Sequence, residues 1–157
     1  MSERTVTHAT FCIDRVYDAA PARVFKAFSD AEAKAKWFSG PPDWDSSGVI
    51  MDFRVGGRER NTGGPPGGPV HDFNCLYWDI VPNERIVFTY DMHLDETRIS
   101  VSMTTIELKP AGAGTRLVFT EQGAFLDGFE DPSLREEGTR LLLEALGAAL
   151  ESGAVPA

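Results

Sequence analysis

The order of the periodic segments constrains the fold of this chain more than any other feature. Runs rich in β-branched and aromatic residues alternate with short segments of turn residues, and one long amphipathic helix follows the last run. Strands are predicted at 5–17, 49–55, 73–81, 85–92, 98–108 and 116–122, with a further short strand at 58–61. Short connections between consecutive strands favour an antiparallel meander over parallel crossovers.

Two short helices are predicted directly after the first strand. Pro21 suits the first position of a helix, because its missing N–H would have no partner there, and this helix should end near Ser29. Asp30 can cap a second helix that runs to about Trp37, before Gly40 and two prolines.

The longest predicted helix runs from Pro132 to about Ser152, with Asp131 as its cap. Its charged residues, Arg135 among them, are expected to lie largely off its apolar face. The apolar stripe consists of Leu142, Leu143, Leu146, Ala149 and Leu150. Because one face is apolar, the helix must lie on the sheet. The sequence therefore predicts an α+β fold, a curved antiparallel sheet of about six to seven strands around a long C-terminal helix.

Length and charge exclude several classes of protein. A chain of 157 residues is of the usual size for one domain, expected here over 1–157. A net charge of −9 argues against nucleic acid and against anionic membranes as partners. The N-terminus lacks the apolar core of a signal peptide, so we expect a cytoplasmic protein. In that compartment Cys12 and Cys75 are expected to be reduced.

Four motifs in this order resemble the START-like or SRPBCC superfamily. They are Ala20 to Asp30 leading to Trp37-Phe38, Met51 to Arg58 with its glycine pair, Trp78 to Tyr90, and Gly114 to Thr120. Within the superfamily the chain is most similar to the subgroup related to the activator of heat-shock-protein (Hsp90) ATPase, over about Thr7 to Leu150. The resemblance implies the helix-grip fold, with a cavity between the sheet and the last helix.

The resemblance also implies a function class. Superfamily members hold lipids, hormones or polyketides in such a cavity, and a minority are enzymes. In this subgroup the last helix usually opens with a Gly-Trp pair, whereas this chain has Gly138-Thr139. We therefore do not transfer the ligands of relatives. A chaperone-activating role is not expected, because the sequence lacks the extra N-terminal domain of the eukaryotic co-chaperones.

Candidate ligand-binding residues are mostly aromatic, since small-molecule sites have apolar walls with a few polar tips. The alternation along 86–92 places its apolar residues on one face. Arg54, near the glycine pair, could bind a carboxylate, although a surface ion pair is the commoner use. The full set is Trp37, Phe53, Arg54, Tyr77, Phe88, Tyr90, Met92, Met103, Phe119, Leu142 and Leu146.

Other polar residues are read as structural or solvent-exposed. The histidines and cysteines show no metal-ligand spacing, so neither a metal nor a cofactor is predicted. His93 is expected in a solvated loop, and Glu121 is not expected to be a buried carboxylate with a raised pKa. The alternating hydroxyl residues Ser100, Ser102 and Thr104 are expected to face solvent. The Gly/Pro-rich segment 62–69 is expected to be a hairpin tip, a candidate lid over the cavity.

The function predicted first is the binding of a small hydrophobic or aromatic molecule without a cofactor. One alternative is an enzyme similar to polyketide cyclases, which would require a cluster of inward polar residues; no catalytic residue is assigned. Another is a protein-interaction or chaperone-regulating module, which would require an exposed stripe on the outer sheet face. A homodimer is left open.

Overall fold

The computed structural model describes residues 3–40 and 42–156, and its elements follow the predicted order. The elements are β1 (Val6–Tyr17), α1 (Pro21–Ser29), α2 (Ala31–Ala35), β2 (Asp45–Met51), β3 (Arg58–Gly64), β4 (His71–Val81), β5 (Arg85–Leu94), β6 (Thr97–Ala111), β7 (Gly114–Leu126) and α3 (Pro132–Glu151).

The seven described strands form one curved antiparallel sheet in the order β1-β7-β6-β5-β4-β3-β2. Strands β2 to β7 are neighbours in chain order, and β1 pairs with β7 along its whole length, from Val6 opposite Leu126 to Tyr17 opposite Thr115. The predicted α+β class, with the sheet around the C-terminal helix and two short helices after the first strand, is confirmed.

The glycine pair explains the largest difference from the predicted strand bounds. The second strand was expected at 49–55, but β2 ends at Met51, and the chain turns before β3 begins at Arg58. The Gly57 N–H donates to the Arg54 carbonyl, and the Gly56 N–H donates to the Tyr77 carbonyl on β4. A Cβ on Gly57 would lie 2.0 Å from the Asp52 carbonyl oxygen, so this close approach requires glycine.

The predicted helix caps form as expected. The Asp30 carboxylate accepts hydrogen bonds from the N–H groups of Glu32 and Ala33, and α1 begins at Pro21. Helix α2 ends at Ala35 and is shorter than predicted. Trp37 beyond it is buried, and its indole N–H donates to the Ala27 carbonyl at 3.0 Å.

The C-terminal half of α3 packs against the start of the chain. Leu143, Leu146 and Leu150 are buried in the core. The Tyr17 hydroxyl donates to the Leu143 carbonyl at 2.6 Å, and the Arg23 guanidinium donates to the Leu150 carbonyl. Both bonds join this half of the helix to β1 and α1. Among the described helices none is long and apolar enough to span a lipid bilayer.

This packing predicts unequal effects for two neighbouring types of leucine on α3. Leu146 is fully buried, so Leu146→Ala should lower the free energy of unfolding by about 2–5 kcal/mol through lost contacts and a residual cavity. Leu141 is 61% exposed, and Leu141→Ala should change it by about 0.5 kcal/mol or less. Urea unfolding monitored by circular dichroism measures both values. Equal losses would contradict the described packing of the helix.

Candidate functional site

A cavity of about 530 Å³ lies between the concave sheet face and the N-terminal half of α3. Aromatic side chains from three strands form much of its wall, and the chain after α1 contributes others. The apolar residues that line it are Phe28, Trp37, Phe38, Trp44, Phe73, Phe88, Met92, Ile106, Phe119, Leu134, Leu142 and Leu143. Its size and lining are those of a site for a small, largely apolar molecule.

Strand register places Glu121 in this wall and Thr104 beside it, beneath the lining. Phe88 on β5 lies opposite Thr104 on β6, which lies opposite Glu121 on β7. Directly opposed residues point to the same side of a sheet, so all three face the helix. The Thr104 hydroxyl donates to Glu121 Oε1 at 2.9 Å.

Glu121 is a buried carboxyl group on the cavity wall, with only 3% of its surface exposed. The Tyr90 hydroxyl donates to its Oε2 at 2.9 Å. Burial raises the pKa of Glu121, although the bonds from Tyr90 and Thr104 and the charge of Arg135 act against that rise. Burial also raises the pKa of the Tyr90 hydroxyl. Both oxygens of this buried carboxyl group therefore accept hydrogen bonds from protein hydroxyls.

Arg135 links the N-terminal half of α3 to this cluster. Its guanidinium donates to the Tyr90 hydroxyl and to Ser100 Oγ, each at 2.9 Å, and to both carboxylate oxygens of Glu130 at 2.8 and 3.1 Å. The Arg135 side chain is only 10% exposed, so these contacts are largely desolvated. The carboxylate of Glu130 balances the buried charge, and Arg135 fixes the helix over the sheet.

A second polar group lies where α2 meets β3. Lys34 Nζ donates to Glu59 Oε1 at 2.6 Å, and the Tyr77 hydroxyl donates to the same oxygen. Both charged side chains are buried, Lys34 lines the cavity, and its ammonium lies 4.5 Å from the centre of the Phe38 ring. Burial is the largest cause of a raised pKa for the Tyr77 hydroxyl, followed by the nearby Glu59 carboxylate.

The structure divides the predicted ligand-binding residues into two sets. Six line the cavity: Trp37, Phe88, Tyr90, Met92, Phe119 and Leu142. The other five do not. Tyr77 and Leu146 are buried in the core, and half-buried Phe53 packs on Tyr77 with ring centres 4.9 Å apart. Arg54 forms an exposed ion pair with Asp52 at 2.8 Å, the use weighed against ligand binding.

The face assigned to β6 was wrong. Met103 is 41% exposed on the outer face, whereas Ser100, Ser102 and Thr104 are buried on the concave face. Ile106 and Leu108, which share the parity of Thr104, are buried with them. The apolar character of Ile106 and Leu108 therefore indicates, from the sequence alone, which face of β6 is buried.

Three further expectations were wrong, those for Glu121, His93 and Arg135, and Lys34 and Glu59, which form the second polar cluster, were missed. Glu121 shares the parity of buried Phe119, which could have placed it inward. His93 lies within β5 rather than in a loop. Arg135 precedes Thr139, Leu142 and Leu146 by four, seven and eleven positions, so it lies on the inward face of the helix. For Lys34 and Glu59 the sequence offers no comparable signal.

The glycine-rich segment forms the end of β3 and the turn to β4, as predicted for a hairpin. Its Gly63 lines the cavity, as does His71 just beyond the turn. The His71 ring stacks on Trp44, with ring centres 4.7 Å apart, and burial lowers its pKa. Over residues 3–40 and 42–156, no three His, Cys, Asp or Glu side chains gather as a set that could hold a metal ion.

Comparison with known families identifies the fold. The model of the family described as activator of Hsp90 ATPase homolog 1-like protein matches residues 18–151. The chain belongs to this family. The predicted resemblance is therefore confirmed. No curated protein matches the chain by sequence.

Solved structures of three bacterial proteins share this architecture. An uncharacterised protein from Rhizobium leguminosarum is 44% identical, with a TM-score of 0.91, over 96% of this chain and 99% of its own. A protein from Rhizobium loti is 47% identical, with a TM-score of 0.85, over 92% and 98% of the two chains. An AHSA1-like protein from Aeromonas hydrophila is 17% identical, with a TM-score of 0.69, over 94% and 95%, and this likeness shows the fold alone.

Gly138 and Thr139, the place where the resemblance led us to expect a Gly-Trp pair, lie on the wall of the cavity. Both residues line it, and a Cβ added to Gly138 would have no atom within 4 Å. The Thr139 hydroxyl turns back to the Arg135 carbonyl at 2.9 Å. Small residues at this point leave the space beside Leu142 open.

The raised pKa of Glu121 makes stability depend on pH. The unfolded chain titrates Glu121 at the ordinary glutamate pKa of 4.5, whereas the folded protein binds the carboxyl proton of Glu121 more tightly. The stabilisation from Glu121 is therefore complete below 4.5 and is lost as pH rises through the folded-state pKa. Glu121→Gln has no such loss, so its stability relative to the wild type should increase with pH, by about 1.4 kcal/mol per unit of pKa elevation.

Urea unfolding of both proteins from pH 4 to pH 8 measures this difference. Arg135, Glu130 and Tyr90, whose charges or hydroxyl lie near Glu121, are present in both proteins. A stability difference that stays constant over this range would show that the carboxyl group titrates as it does in the unfolded chain.

Proposed function

We propose that this protein binds a small apolar or aromatic molecule in the cavity beneath α3. The observation that carries the proposal is the cavity itself, which has about 530 Å³ of space and an aromatic wall, with a few buried polar groups. The fold is commonly a ligand-binding fold, which supports the same function. Phe73, Phe88 and Tyr90 present rings at angles of 40° to 76° to one another, so a flat molecule would meet both faces and edges.

The alternative of an interaction module receives less support from the outer face of the sheet. Ser100, Ser102 and Thr104, which were expected on this face, point inward, and Val101 and Met103 are exposed there instead. Exposed ion pairs interrupt the apolar residues on this described face. They are Arg85 with Asp79, Arg98 with Asp91 and Arg116 with Asp14.

Filling the cavity should weaken binding without unfolding the protein. Leu142 lines the cavity, and Leu142→Trp adds a large ring to it. Nile red is a neutral dye that fluoresces in apolar surroundings, and it should bind the wild type saturably. It should also raise the melting temperature, because a ligand that binds only the folded state stabilises that state. In Leu142→Trp its dissociation constant should rise roughly tenfold or more, the equivalent of about 1.4 kcal/mol.

Leu141→Trp is the matched control, since Leu141 is the preceding residue of the same helix and is exposed. It should bind the dye as the wild type does. Native mass spectrometry of the purified protein would reveal a retained ligand directly. The proposal fails if Nile red does not saturate the wild type, or if the two tryptophan variants bind it equally.

Acid–base catalysis on the bound molecule is a second candidate, favoured by the position of Glu121. An enzyme would need a cluster of inward polar groups, and Glu121, Tyr90 and Arg135 form one on the cavity wall, with Thr104 bonded to Glu121 behind it. A ligand recovered from Glu121→Gln should then be converted by the wild type and not by that variant, as measured by liquid chromatography and mass spectrometry. Unchanged ligand after incubation with both proteins would exclude this candidate.

A further inference from the structure

The buried ion pair between Lys34 and Glu59 has unused hydrogen-bonding capacity. Lys34 and the Tyr77 hydroxyl both donate to Oε1 of Glu59. Oε2 is buried, and none of the described residues donates to it. The Glu59 side chain is only 1% exposed. A buried carboxylate oxygen without a donor is costly, and a purely structural ion pair gains nothing from placing both donors on one oxygen.

Lys34 has capacity to spare as well. Its ammonium group carries three N–H donors. Glu59 accepts one of them, and the face of the Phe38 ring lies against the charge. The pair therefore offers an acceptor and a donor within one small volume.

This volume adjoins the main cavity, and we call it the side chamber. A second space of about 330 Å³ lies between α2, β2 and β3, and both members of the ion pair line it. The two spaces share Lys34, Phe38, Trp44 and Asn61 among their lining residues. A molecule whose apolar body fills the main cavity can thus extend a head group past Phe38 to Glu59.

The charges of the pair restrict the chemistry of that head group. A carboxylate would be repelled by Glu59 and would offer Oε2 no proton. An ammonium group would be repelled by Lys34. A neutral hydroxyl satisfies both partners, because it donates to Oε2 and accepts from the Lys34 ammonium.

We propose that the side chamber is a recognition site for a hydroxyl group, so that the ligand of this protein is a neutral apolar or aromatic alcohol or phenol. The inference rests on the proposed ligand-binding function and adds the ligand class and the residues that select it. The hydroxyl donates to Glu59 and accepts from Lys34, while the rings of the main cavity hold the hydrocarbon part.

Three matched naphthalenes test this with the full wild-type chain. In isothermal titration calorimetry, 2-naphthol should bind roughly tenfold more tightly than 2-methylnaphthalene, whose methyl group replaces the hydroxyl. 2-Methoxynaphthalene can accept from Lys34 but cannot donate to Glu59, so it should lose most of this advantage. Nuclear Overhauser effects between the naphthol ring and the Lys34 side chain would locate the hydroxyl in the wild type itself.

A double variant tests the residues. Lys34→Met with Glu59→Gln removes both charges and keeps an oxygen for the Tyr77 hydroxyl, and replacing a buried ion pair together is commonly tolerated. It should bind 2-naphthol and 2-methylnaphthalene about equally. Lys109→Met with Glu107→Gln, which replaces an exposed lysine–glutamate pair on β6, is the matched control and should keep the preference.

The outcomes separate this inference from the proposed function. Equal wild-type affinities for all three naphthalenes would leave the cavity a binding site and overturn hydroxyl recognition. A preference that survives in Lys34→Met with Glu59→Gln, or Overhauser effects that do not involve Lys34, would place the recognition elsewhere and also overturn it. If no naphthalene binds the wild type, the ligand-binding function fails and this inference fails with it.

Discussion

The guanidinium of Arg135 is the contact on which the shape of the cavity depends. The C-terminal half of α3 packs through leucines onto β1 and α1, but its N-terminal half lies over open space and has little apolar surface to bury there. Arg135 spans that space to the Tyr90 hydroxyl and to Ser100 Oγ, with Glu130 balancing its charge. A long polar side chain can hold a helix away from a sheet where a leucine would draw it in, so the cavity and the polar cluster have one cause.

Periodicity predicted the fold because the strands and the long helix bury apolar residues at regular intervals. It failed on β6, where the pattern contains apolar residues of both parities. Met103 suggested one face, whereas Ile106 and Leu108 indicated the opposite one, and the structure follows the latter pair. The reason is physical: on the concave face of this strand Ser100 Oγ accepts from Arg135 and the Thr104 hydroxyl donates to Glu121, so these two residues face inward against the usual rule that hydroxyls face solvent.

The two polar clusters differ in how far a sequence could reveal them. Arg135 and Glu121 each share a periodicity with buried apolar neighbours, so their inward orientation was available from spacing, although their burial contradicts the usual exposure of charged residues. Lys34 and Glu59 are 25 positions apart in the chain, on a five-residue helix and a strand with little apolar content. Their meeting depends on how α2 crosses β3, which no local pattern encodes.

The two clusters also differ in what they can offer a ligand. All four hydrogen bonds from Arg135 end on protein atoms, and Glu121 accepts a bond on each of its oxygens, so this side of the cavity is polar but largely satisfied. Polar groups whose hydrogen bonds are already made to protein atoms hold the wall in place and have little capacity left to hydrogen-bond a ligand. Selectivity should therefore come from groups with capacity left over, which on the described wall points to Lys34 and Glu59. Such groups are few and lie on the lining rather than in the framework, so a backbone shared at 17% identity does not by itself carry the same lining chemistry.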